Sequence, residues 1–106
     1  MQVGTVQTRL GDVFFRSAGA GDLILLIHQS GRSSRMFSRL LSILAEHCWA
    51  VALDLPGFGN SAPVAEGAKI EDYAACCADL LCAVTNEPAH VYGHHSGNKI
   101  ATALAV

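Results

Sequence analysis

Leu23-Ile24-Leu25-Leu26-Ile27 is an unbroken aliphatic run with no polar residue, so it does not fit a strand with one wet face. A run this short and this apolar fits a strand buried on both faces, which parallel sheets require. Trp49-Ala50-Val51-Ala52-Leu53 repeats the pattern. Between the two, Met36, Phe37, Leu40, Leu41 and Leu44 recur at three- and four-residue spacing, which predicts a helix of about three turns with Ser33 or Ser34 as N-cap. Strands alternating with helices imply right-handed βαβ crossovers and a mostly parallel sheet with helices on both faces, an α/β architecture.

The flanking segments extend this series. Val3 to Ser17 alternates loosely and breaks at Gly11-Asp12, predicting an N-terminal antiparallel hairpin. After the second buried run, Asp54-Leu55-Pro56-Gly57-Phe58-Gly59-Asn60-Ser61 ends regular structure, and a loop is expected to about Ala68. Ile70, Tyr73, Cys77, Leu80, Leu81 and Val84 then mark a helical stripe, with Glu71 and Asp72 in the first turn, where the helix dipole favours acids, and Asn86-Glu87-Pro88 as its end. A short strand over Ala89 to Tyr92 leads through Gly93-His94-His95-Ser96-Gly97 into a helix over Lys99 to Val106.

Composition narrows the classes of function. With 106 residues, 51% of them hydrophobic and 15% charged, the chain is globular and too short for two domains. A formal charge of -2 and the absence of a Lys or Arg run argue against nucleic acid or an anionic membrane as partner. A small neutral or weakly polar ligand fits better. Met1 to Leu10 has no leader-like pattern, and no apolar run approaches the roughly 20 residues of a membrane span, so a cytoplasmic location is expected. Cys76 and Cys77 are adjacent and no C-x-x-C occurs. Buried apolar thiols on helices are expected rather than disulfides or metal ligands. No cofactor is implied.

Parallel strands end at a common edge where ligands bind. His28-Gln29-Ser30-Gly31, Asp54 to Ser61, and Gly93 to Gly97 all reach that edge. The last resembles the nucleophile elbow of α/β-hydrolases, G-x-S-x-G between a strand and a helix, where small flanking residues allow a sharp turn. The His-containing loop after the third strand, the D-x-P-G-x-G-x-S loop after the fourth and the elbow after the fifth stand here in family order. The resemblance covers essentially the whole chain and implies the N-terminal half of an α/β-hydrolase, residues 1–106 forming a partial domain. His-Gln in the first loop and Gly-His-His-Ser/Thr-Gly at the elbow resemble a bacterial-type subset of that family.

At the elbow the pattern departs from the family. Gly93 and Gly97 hold the small positions, so His95 occupies the nucleophile's place and Ser96 follows one residue late. Centring Ser96 instead would put His94 and Asn98 where small residues are wanted. The resemblance implies that the backbone N–H groups of Ser30 and Ser96 form an oxyanion hole. His28, Gln29 and Phe58 are expected around the bound substrate, although Phe58 fits equally well packed beneath its own turn. His95, at a helix N-terminus whose dipole opposes a cationic ring, suits a general base or a nucleophile. The other reading is a dead elbow kept for its turn or for ligand binding. Ser96 is an alternative nucleophile. A metal site from His28, His94 and His95 is not expected, because adjacent histidines on a tight turn point apart. Asp54 heads a Pro-Gly turn and is expected to accept backbone N–H bonds.

The family's catalytic acid and late His follow the nucleophile in chain order, and this sequence carries no such strands. The chain alone is therefore expected to be inactive. A C-terminal half or self-association is expected to cover the edge of the last strand. The parent is expected to hydrolyse a small-molecule ester, amide or related bond; the alternative is a non-catalytic ligand-binding member of the fold or an inactive truncated product. A nucleotide-binding protein is disfavoured, since His28-Gln29-Ser30-Gly31-Arg32 is neither G-x-G-x-x-G nor a Walker pattern.

Overall fold

The computed structural model describes residues 1–64 and 67–105. Five strands, β1 (Gln2–Thr8), β2 (Gly11–Ala18), β3 (Leu23–Ile27), β4 (Trp49–Leu53) and β5 (His90–Gly93), form one sheet in the order β1-β2-β4-β3-β5. β3 pairs in parallel with both β4 and β5, whereas β2 is antiparallel to β1 and β4. Only β2 therefore runs against the other four strands.

The two aliphatic runs lie side by side at the centre of the sheet, and alternate residues serve opposite faces, as strand geometry requires. Leu25, Ile27, Val51 and Leu53 pack with Ala74, Cys77 and Leu80 of α2 (Ile70–Val84) and with Ile100 and Ala101 of α3 (Gly97–Ala105). Leu26, Ala50 and Ala52 pack on the other face with Phe37 and with Leu41 of α1 (Ser38–Leu44). Helices thus cover both faces, and the unbroken aliphatic runs follow from that two-sided burial.

Several local details differ from the sequence reading. The hairpin turn falls at Arg9-Leu10, with Thr8 opposite Gly11; the Thr8 hydroxyl donates to Gly11 O at 2.8 Å and accepts from Leu10 N–H at 3.2 Å. The expected three-turn helix is a 3-10 turn over Ser34–Phe37 followed by the seven-residue α1. Ser33 is its N-cap, accepting from Arg35 N–H at 3.3 Å. Ser34 is buried and its N–H instead donates to Asp54 at 2.6 Å. Of the thiols, Cys76 and Cys77 are buried as expected, but Cys82 is exposed and Cys48 is half-buried in the turn before β4.

α2 begins where expected, with the Asp72 carboxylate accepting from Lys69 N–H at 2.8 Å, and ends at Thr85, ahead of Pro88. α3 starts at Gly97, two residues earlier than the sequence reading; Val106, its expected last residue, lies outside the described residues. β5 forms one edge of the sheet and is only half covered, Tyr92 being 44% exposed. Among the described residues, no helix is long and apolar enough to cross a membrane.

Candidate active site

β3, β4 and β5 run parallel, so the loops that follow them meet at one edge of the sheet. The turn after β5 is pinned from both sides: His94 N–H donates to Ile27 O at 3.0 Å, and Gly97 N–H donates to His94 O at 2.9 Å. Its crowding explains the two glycines. A Cβ at Gly93 would meet the Gly97 carbonyl, and one at Gly97 would lie 2.6 Å from Ile27 O. Within this turn His95 has φ of 56°, the only positive φ of a non-glycine residue among the described residues. That value is uncommon for a side-chain-bearing residue, though His tolerates it better than most, and strained positions of this kind cluster at functional sites.

The loop after β3 is organised by His28, which is completely buried. Its Nε2 accepts the Leu55 N–H at 2.9 Å, so the proton sits on Nδ1, which donates to Gln29 O at 2.8 Å. Burial pushes the pKa of this imidazole below its ordinary value. Both ring nitrogens are engaged by backbone, so His28 is a neutral strut between the β3 and β4 loops. Gln29 presents its carbonyl, which also accepts Arg32 N–H at 3.1 Å.

Asp54 is buried and accepts from Ser34 N–H at 2.6 Å and Asn60 N–H at 2.9 Å, the backbone-bonding role expected of it. It locks the β4 loop to the segment leading into α1.

Between these loops lies a cavity of about 140 Å³ lined by His28, Ser30, Phe58, Tyr73, Ser96 and Ile100, among others. Phe58 is half-buried and forms a wall, its ring edge-on to His28 at 5.6 Å between centroids. Ser96 is half-buried, and its Oγ accepts the Ser30 N–H at 2.7 Å. The Ser30 amide is therefore already bonded, and the Ser96 hydroxyl proton is left for a further acceptor. His95 is exposed and is not among the lining residues; its ring lies 6.3 Å from that of His94, whose Nδ1 is 3.3 Å from the Tyr92 hydroxyl. The structure thus brings His28, Ser30, Phe58 and Ser96 to one cavity and places His95 on the adjoining turn.

Leu55, Ile70, Tyr73 and Ile100 also line the cavity, although their spacing reads as ordinary core. The available signal was position: Ile70 and Tyr73 occupy the first turn of the helix that follows the β4 loop, at the end of the sheet where the loops gather. Among the described residues, no three His, Cys, Asp or Glu side chains gather in a way that would hold a metal ion.

Residues 24–106 match the model of the alpha/beta hydrolase family. The chain belongs to that family. Among curated proteins it is similar to the uncharacterized hydrolase YraK of Bacillus subtilis (strain 168), with 31% identity over 105 residues covering 97% of this chain and 39% of YraK. It is also similar to the (E)-2-((N-methylformamido)methylene)succinate hydrolase of Acinetobacter baylyi, 26% identical over 83% of this chain and 34% of that enzyme. Among solved structures, an epoxide hydrolase from an endophytic Streptomyces superposes with a TM-score of 0.92 at 32% identity, covering 98% of this chain and 32% of that protein. The chain spans less than half the length of each of these relatives.

Proposed function

We propose that the chain is the N-terminal portion of a hydrolase acting on a small-molecule ester, amide or related bond, with His95 in the nucleophile's place. The observation that carries this reading is the positive φ of His95 on a crowded strand-to-helix turn beside a small, largely apolar cavity. A turn of this kind lifts its central side chain clear of the backbone, and a family of hydrolases uses that position for its attacking group. From there the imidazole acts as general base on a water or attacks the substrate directly. In this reading the substrate oxygen is received at the side of the cavity that Ser30 and Ser96 line, with their backbone N–H groups as its donors once the Ser96 hydroxyl has moved aside. A relative that acts on a substituted succinate supports a small-molecule substrate.

The remaining strands of the parent cover the half-exposed edge of β5 and the apolar groove beside it, which Leu81, Val91 and Leu104 line. They also supply the late acid and His, without which no triad relay forms. Location in the cytoplasm and absence of a nucleic-acid partner belong to the same reading.

One observation favours a second reading, a ligand-binding member without catalysis. The Ser30 N–H is bonded to Ser96 Oγ rather than open toward the cavity, so an oxyanion would have to displace that hydroxyl. Turnover of a chromogenic ester by the full-length parent separates the two. Catalysis through His95 predicts that His95→Ala abolishes turnover while Ser96→Ala retains it. No turnover in any version, with retained ligand binding, favours the second reading.

A further inference from the structure

Beyond Phe58 lies a second hollow. Phe58 lines both the inner cavity and an outer cleft of about 480 Å³. Gly31, Gly57 and Gly59 give this cleft bare backbone walls, and of the other residues that line it, Arg32, Ser33, Arg35, Met36 and Phe58, the charged ones are both arginines. The glycines are held there by geometry: Gly57 has φ of 87°, and a Cβ at Gly59 would run into the Asp54 carboxylate. Residues 28–45 contain Arg32, Arg35 and Arg39 and no Asp or Glu. Among the described residues the one salt bridge joins Arg9 of the hairpin turn to Asp79 of α2, so neither cleft arginine is paired with a carboxylate there. Among the described residues, the carboxylate held between these loops is that of Asp54, which is buried with its oxygens on the Ser34 and Asn60 amides.

We propose that this cleft is an anion subsite, and that the ligand is a small amphipathic acid whose apolar part enters the inner cavity while Arg32 and Arg35 hold its carboxylate or phosphate group. The assignment rests on the reading that the inner cavity takes the substrate, and it narrows the substrate class to anionic molecules. Guanidinium groups suit it because their planar forks bind carboxylate and phosphate bidentately. The net charge of the chain is -2, so general attraction of anions does not account for a local preference.

The test measures binding rather than turnover, so it stands apart from the fate of the hydrolase reading. The full chain is titrated by NMR with pentanoate, pentyl phosphate and pentanol. Both anions are expected to bind at least about tenfold more tightly than pentanol, the gain of one good charge-assisted contact, and the tighter of the two identifies the headgroup. In the double variant Arg32→Gln with Arg35→Gln the anion preference is expected to fall to within about twofold, with pentanol affinity unchanged. Arg39→Gln, on the exposed side of α1, is expected to leave the preference intact. Equal binding of pentanol and the anions by the unmodified chain, or an undiminished preference in the double variant, overturns the proposal.

Discussion

Replacing His28 by Phe keeps the ring but removes both of its hydrogen bonds. Because His28 has no exposed surface, the Leu55 N–H that donates to its Nε2 at 2.9 Å is left without a partner. An orphaned buried donor costs about 1–3 kcal/mol. The Gln29 carbonyl fares better, since it still accepts from Arg32 N–H. The expected loss is therefore about 2 kcal/mol, a drop in Tm of roughly 8–16 °C for a domain of this size. The penalty also depends on pH. The native imidazole has a lowered pKa relative to the ordinary value of 6.5, so below pH 6.5 the unfolded chain binds a proton that the native state refuses. This contribution is intact above pH 6.5 and is lost as the pH falls through the native value, with a slope of at most about 1.4 kcal/mol per pH unit for one proton. Urea unfolding followed by Trp49 fluorescence, from pH 8 to pH 5, tests both parts. The variant is expected to be less stable at pH 8, and the gap is expected to close as the pH falls. A gap below about 0.5 kcal/mol at pH 8, or one that does not change with pH, would refute the strut role of His28.

Other consequences follow from the same geometry. Gly97→Ala forces a Cβ to 2.6 Å from Ile27 O and 2.8 Å from His28 O; since both are backbone atoms that cannot swing away, a loss of about 2 kcal/mol or more in urea unfolding is expected. Asp79, whose pKa is pulled from 3.8 to about 2 by its hydrogen bonds with Arg9, gives stability that is present above pH 3.8 and lost as the pH falls toward 2. Asp79→Asn is expected to remove that part of the acid-unfolding curve and to lower the urea midpoint at pH 7 only modestly, because the Arg9 side of the pair is exposed and screened by solvent.

The parts of the fold that were legible in the sequence are those in which side-chain chemistry alone dictates burial. The aliphatic runs at 23–27 and 49–53 had to be internal, and the stripe from Ile70 to Val84 had to face them. The position of β2 was not legible in this way, because an alternating strand states which face is apolar but not which neighbour it pairs with. The setting of the 3-10 turn at Ser34–Phe37 escaped for a similar reason: its first residue bonds to Asp54, twenty residues away in sequence. At the site, the backbone-bonding role of Asp54 was readable from the Pro-Gly turn that follows it. The double engagement of His28 was not, since its partners lie on two loops joined only in space. Nor was the bond from Ser30 N–H to Ser96 Oγ, which spans 66 positions. Short-range rules place residues on an edge; which of them touch depends on how loops from different strands converge.

The proposed catalytic role of the imidazole at position 95 is open to chemical rescue. In the full-length parent, His95→Gly preserves the positive φ of the turn, since glycine adopts it freely, while deleting the ring. Turnover of a chromogenic ester is predicted to be lost in this variant and partly restored by added imidazole in a saturable way, with Ser96→Ala still active and indifferent to imidazole. Turnover by His95→Gly equal to that of the unmodified parent, or a loss that imidazole does not repair while the variant remains folded, would rule out a catalytic imidazole at this position.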